Sequence, residues 1–151
     1  MADLFESLQR IARSGRLGQP VFLRCQVTAP PGRALTSLAA ALAAAAALFD
    51  DAPATLQAAG DEAAGALHAI LIFRSGATVL AYTGPGEEAA DAMLLGNHGA
   101  AYGPGTPGFY HPGSDRFRTE VALAEIDQWV ALIRRSLAVG QPVRSEKAGS
   151  S

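Results

Sequence analysis

The chain has 151 residues, 49% hydrophobic and 17% charged, with a formal charge of −2 at pH 7 and a pI near 5.9. That hydrophobic fraction and low charge exclude wholesale disorder, and the scattered arginines make no basic face for nucleic acid. A chain of this length is most simply one domain, able to bury roughly 70% of its unfolded surface.

We expect the domain to occupy 1–143, with a disordered polar tail from 144 to 151. Met1-Ala-Asp-Leu-Phe-Glu6 has acids where a secretory signal needs a basic start and an apolar run. The Ala-rich stretch 38–49 is shorter than the roughly 20 residues that span a bilayer, so the cytoplasm is the expected location and no membrane partner is expected. The single cysteine, Cys25, has no partner for a disulfide or for metal, and reads as a small buried apolar residue.

In chain order, residues 3–14 predict a helix: Asp3 and Glu6 suit its start, Leu4, Leu8 and Ile11 share a face, and Gly15, Gly18 and Pro20 end it. Val21–Val27 predicts a strand and Ala29–Arg33 a loop. Leu35–Phe49 predicts a second helix, rich in Ala, unbroken by Gly or Pro, with Thr36 or Ser37 as its cap. It is apolar on all sides, the pattern of a helix covered on more than one side. Asp50-Asp-Ala-Pro53 stops it, and Ala54–Ala59 predicts a short strand.

Ala66–Tyr102 reads as the framework of the fold. Ala66–Phe73 and Thr78–Thr83 are β-prone runs around the turn Arg74–Ala77. Asp91–Leu95 and Ala100–Tyr102 flank Gly96-Asn-His-Gly99. Such runs, punctuated by Gly and Pro, predict an antiparallel meander. Gly103–Gly108 is too rich in Gly and Pro for regular structure. The last helix, Glu120–Leu137, repeats Leu123, Ile126, Trp129, Val130, Ile133 and Leu137 at helical spacing and ends at Gly140 and Pro142. Arg13-Ser-Gly-Arg-Leu-Gly-Gln-Pro-Val21 echoes Arg135-Ser-Leu-Ala-Val-Gly-Gln-Pro-Val143. Each follows a helix, which points to shared capping chemistry and not to a duplicated domain.

Three passages carry a family resemblance: Ser14–Arg24, Ala46–Pro53, and the hairpin Leu67–Val79 with the later turn Gly96–Gly99. Together with the closing helix and Gly140-Gln-Pro142, they resemble the second domain of the glucose–fructose oxidoreductase/inositol dehydrogenase (Gfo/Idh/MocA) family over about residues 8–143. The resemblance implies an α+β fold with an open-faced, mainly antiparallel sheet and helices packed on one face, similar to the family's dihydrodipicolinate-reductase-like second domain.

The departures are informative. Family members hold a dinucleotide on a Rossmann domain with a Gly-rich turn, and use the lysine of a Glu-Lys-Pro segment. Within these 151 residues the one GxGxxG string, Gly103-Pro-Gly-Thr-Pro-Gly108, is too rich in Gly and Pro to open the helix that a dinucleotide-binding turn requires. Glu146-Lys147 is followed by Ala148 and lies in the tail. The family's second-domain helix bears an Asp–His–Asp set, and the matching positions here are Thr36, Ala40 and Ala43, none of which forms a proton-transferring pair.

No catalytic, cofactor-binding or metal-binding residue is therefore expected, and no cofactor. His68, in an apolar strand, reads as a core or sheet-surface residue. Five residues stand as candidates for a ligand or interface: His98 in its turn, and the cluster Tyr110, His111, Asp115 and Arg116. The leading expectation is a non-catalytic, oxidoreductase-like module that forms a homodimer through its open sheet face. The alternative is a small-molecule binder, or an accessory subunit of a separate NAD(P)-dependent Rossmann protein docked on the Ala-rich helix.

Overall fold

A computed structural model describes residues 4–103 and 123–145. The elements run α1 (Leu4–Arg13), β1 (Pro20–Ala29), a 3-10 turn (Pro31–Arg33), α2 (Ala34–Ala46), β2 (Pro53–Asp61), β3 (Ala66–Phe73), β4 (Thr78–Pro85), β5 (Ala89–Gly96), β6 (Gly99–Gly103), α3 (Leu123–Val139) and β7 (Val143–Arg144). The strands form one seven-stranded sheet in the order β6-β5-β1-β4-β3-β2-β7. The fold is α+β, and every strand pair is antiparallel except β1 with β4.

That exception corrects the expected meander. β4 and β5 are not neighbours, because β1 lies between them, parallel to β4 and antiparallel to β5. The local signals for strand and turn were sound, but pairing across the Gly84–Glu88 link is decided by a distant strand. The link is stitched to the end of β1: the Gly86 amide donates to Ala29 O at 3.2 Å, and the Thr28 hydroxyl donates to Glu87 O.

Strand alternation explains the layering, since successive side chains point to opposite faces. Along β3, Leu67, Ala69, Leu71 and Phe73 are buried while Ala66, His68, Ile70 and Ile72 are exposed. On the buried face, α1 covers β5 and β6, α2 covers β1, β3 and β4, and α3 covers β2 and α2. Every residue of α2 from Ala34 to Ala45 is buried except Thr36. Its Ala side chains let the backbone lie close over β3 and β4, where Ala69 and Ala81 are fully buried in the sheet. Phe49 and Phe73 stack at 4.7 Å where α2 meets the end of β3.

Three local expectations need revision. Neither Thr36 nor Ser37 caps α2: the cap is Arg33, entered from the 3-10 turn, and the Thr36 hydroxyl donates back to Arg33 O at 3.0 Å. Ser37 is buried one turn inside the helix. Arg144 does not begin a disordered tail, because it pairs with Thr55 in β7 and the next amide, Ser145, donates to Ala54 O at 3.0 Å. Leu123, expected on the buried stripe of α3, is 79% exposed, and the stripe runs through Trp129, Ile133 and Ser136.

The repeated Gly-Gln-Pro-Val has a clear cause. Gly18 and Gly140 occupy the matching position, both left-handed at φ 66° and 64°, and each turns the chain from a helix toward a strand beginning at Gln-Pro-Val.

Candidate functional site

Of the sequence candidates, only His98 falls among the described residues; Tyr110, His111, Asp115 and Arg116 lie outside them. His98 sits at the β5–β6 turn and is exposed. Its amide donates to Leu17 O at 3.0 Å, and its ring lies against the Cα of Gly18. The neighbouring Asn97, which the sequence did not single out, accepts the Gln19 amide on its side-chain oxygen at 2.9 Å and donates its own amide to Gln19 O at 3.1 Å. The pair clasps the α1–β1 loop to the turn, which is a structural job. The turn-forming Asn beside Gly was the available signal, but nothing local pointed to Gln19.

A cleft of about 200 Å3 opens nearby between α1, the end of α2 and the β3–β4 turn, lined in part by Gln9, Arg13, Gln19, Asp50, Asp51 and Ser75. Asp51 is its most engaged acid. It accepts the Ser75 amide and its own neighbour's, Ala52, each at 2.7 Å. The hydrogen bonds from Ser75 hold its carboxyl below the ordinary range, so it stays ionised and braces the turn. The one hydroxyl beside a carboxylate among these lining residues, Ser75 against Asp51, serves the turn, and no group of three His, Cys, Asp or Glu suited to a metal exists among the described residues.

Cys25 is buried on β1, and burial, with a smaller push from Asp91, raises its thiol to about 12. A thiol so placed is not a nucleophile at neutral pH. At the positions matched to the family's Asp–His–Asp set, the Thr36 hydroxyl is spent on Arg33 O, and Ala40 and Ala43 are buried without any acid or base.

The largest uncommitted feature is the sheet face opposite the helices. By strand register it carries Phe22, Arg24 and Gln26 from β1, Leu80 and Tyr82 from β4, and His68, Ile70 and Ile72 from β3. Asp91, Met93 and Leu95 from β5 and Tyr102 from β6 continue it. Ile72 is 41% and Tyr102 47% exposed, and His68 stands between Ala59 and Tyr82 on this surface. None of the described helices covers it.

Solved structures share this arrangement. Scyllo-inositol dehydrogenase from Lactobacillus casei superposes with a TM-score of 0.71 at 9% identity over 95% of this chain. Myo-inositol dehydrogenase from the same organism, in complex with NAD(H) and myo-inositol, gives 0.71 at 14% identity over 99%. Myo-inositol 2-dehydrogenase from Lactobacillus plantarum gives 0.67 at 12% over 96%. The fold is that of the second domain of Gfo/Idh/MocA oxidoreductases.

At such identities the likeness concerns the fold, and the chain spans only 60 to 62% of the length of these dehydrogenases. No family model and no curated protein matches the sequence. The described residues form a seven-stranded sheet, and no described helix is long and apolar enough to cross a membrane.

Proposed function

We propose that this domain is a non-catalytic assembly module that pairs with a second copy of itself through the free face of its sheet. The observation that carries the reading is the composition of that face: Phe22, Ile70, Ile72, Leu80, Met93, Leu95, Tyr82 and Tyr102 form a contiguous, largely apolar surface. An apolar patch of this extent on a soluble domain marks an interaction site.

Magnitudes favour a stable pair. Six strands about 4.8 Å apart and about eight residues long span a face of order 600 Å2 in projection, near the roughly 800 Å2 each partner contributes to a standard interface. If somewhat more than half of about 1,600 Å2 is apolar, burial contributes about 20 kcal/mol against an association cost of about 4–15 kcal/mol. The difference, about 5–16 kcal/mol, brackets the roughly 8 kcal/mol of a dimer with micromolar affinity.

The accessory-subunit reading drew on an apolar α2 open to a partner. Burial of α2 within its own fold weighs against that reading. The absence of an acid–base pair at positions 36, 40 and 43 supports a non-catalytic role. Size-exclusion chromatography with light scattering tests the proposal: a dimer is expected at 10 to 100 micromolar (about the range implied above), and Ile70→Glu, at an exposed apolar position of the face, should give a folded monomer. A wild-type chain that runs as a monomer throughout that range overturns it.

A further inference from the structure

The free face holds one ion pair amid its apolar residues, and that pair constrains how two copies meet. Arg24 on β1 lies in register between Met93 on β5 and Leu80 on β4. Its Nη2 donates to Asp91 Oδ2, diagonally across on β5, at 3.3 Å. This is the single hydrogen bond that Arg24's five guanidinium N–H donors make among the described residues, and Asp91 accepts nothing else there. The two side chains are 47% and 36% exposed, so water now serves the remaining donors and lone pairs.

Covering this face with an apolar surface would strip that water and leave buried charge half satisfied, which strongly disfavours the complex. Other charges on the face stand at its margin: Asp61, at the end of β2, already accepts the Ala63 and Ala64 amides, and Arg144 is on the edge strand β7. A second copy brings an Arg24 and an Asp91 of its own. Under two-fold symmetry each contact between them occurs twice, so four charges cancel in one place.

Resting on the assembly reading above, we infer that the two-fold axis of the pair passes beside β1 and β5, where Arg24 of each copy bonds Asp91 of the other while keeping its own. The apolar residues Phe22, Leu80, Met93 and Leu95 then enclose a closed ring of four charges, and Ile70, Ile72 and Tyr82 pack outside it. The ring specifies both the occupant of the face and its orientation, since a surface lacking the reciprocal pair leaves the remaining guanidinium donors and carboxylate lone pairs unsatisfied.

Charge exchange tests this. Arg24→Asp and Asp91→Arg should each weaken the homodimer at least about tenfold by placing like charges across the axis. An equimolar mixture of the two variants should form a heterodimer, seen by native mass spectrometry, because every cross-axis pair is again opposite in sign. The double variant Arg24→Asp/Asp91→Arg should dimerise with itself. Heterodimer formation also shows that both variants fold, and Arg24→Gln provides a charge-free check of the same weakening. A wild-type dimer whose affinity is unmoved by the single variants, or variants that stay apart on mixing, overturns the placement of the axis while leaving the assembly reading intact. A monomeric wild type overturns both.

Discussion

Cys25 and Asp51 illustrate how far a single residue's role follows from its neighbours along the chain. A lone cysteine in a β-prone run was legible as core, and its raised thiol follows from full burial with Asp91 beside it. Because the folded value lies above the ordinary 9.0, this group's stabilising contribution is complete below pH 9 and is lost as pH rises toward 12. Cys25 should accordingly resist a thiol reagent at pH 8 until denaturant unfolds the domain, and rapid labelling of native protein would contradict its burial. Asp51 has the opposite sign. Its folded value is depressed, chiefly by hydrogen bonds from Ser75, so its contribution is present above the ordinary 3.8 and disappears as pH falls through the lower folded value. Asp51→Asn should lower the Tm at pH 7, and the gap from wild type should close under strongly acidic conditions; a gap independent of pH would point to packing instead. Neither Ser75 nor the turn it occupies was visible from Asp51's position, because the bond joins residues 24 apart.

At the scale of elements, α3 shows where periodicity succeeds and where it fails. Its helical spacing was correct, but the stripe that meets the rest of the fold includes Ser136 and leaves Leu123 exposed. The reason lies at the sheet's edge. β7 pairs with β2 only at Thr55 and Leu56, so the Ala58 amide has no strand partner on that side. The Ser136 hydroxyl accepts it at 2.9 Å and donates to Gln141 O at 2.9 Å. A hydrophobicity pattern passes over a serine that satisfies a buried backbone amide and a partly buried carbonyl. Ser136→Ala orphans both and should cost about 1–3 kcal/mol in urea unfolding, with no change in the unfolding slope. A loss below about 0.5 kcal/mol would mean that water replaces the hydroxyl. Gly96, which sat in a turn signal, is required for a related reason: a Cβ there would strike Leu17 O, where the α1–β1 loop crosses the strand.

For the whole molecule, what matters is a sheet that the described helices cover on one side. If that free side joins two copies, the thermal transition should depend on concentration, with the Tm of wild type rising by several degrees between 1 and 100 micromolar (roughly the range over which a micromolar dimer saturates). Ile70→Glu should abolish that dependence while leaving the transition cooperative. A Tm invariant with concentration would count against pairing. The same surface appears in the sequence only as one half of an alternation, since Ile70 and Ile72 look no different from Leu71 and Phe73 until the helices choose a side.

The sequence by itself determined the elements: three helices from apolar spacing and Ala content, the strands from short β-prone runs, and their ends from Gly and Pro. These are local properties, set by the backbone preferences and periodicity of contiguous residues. Only the tertiary structure decided that β1 enters between β4 and β5, that Ser136 closes an edge, that Arg144 belongs to a strand, and which face of the sheet remains free. Those outcomes depend on contacts between residues far apart in the chain, where competing pairings share the same local pattern and differ only in how well the whole core closes.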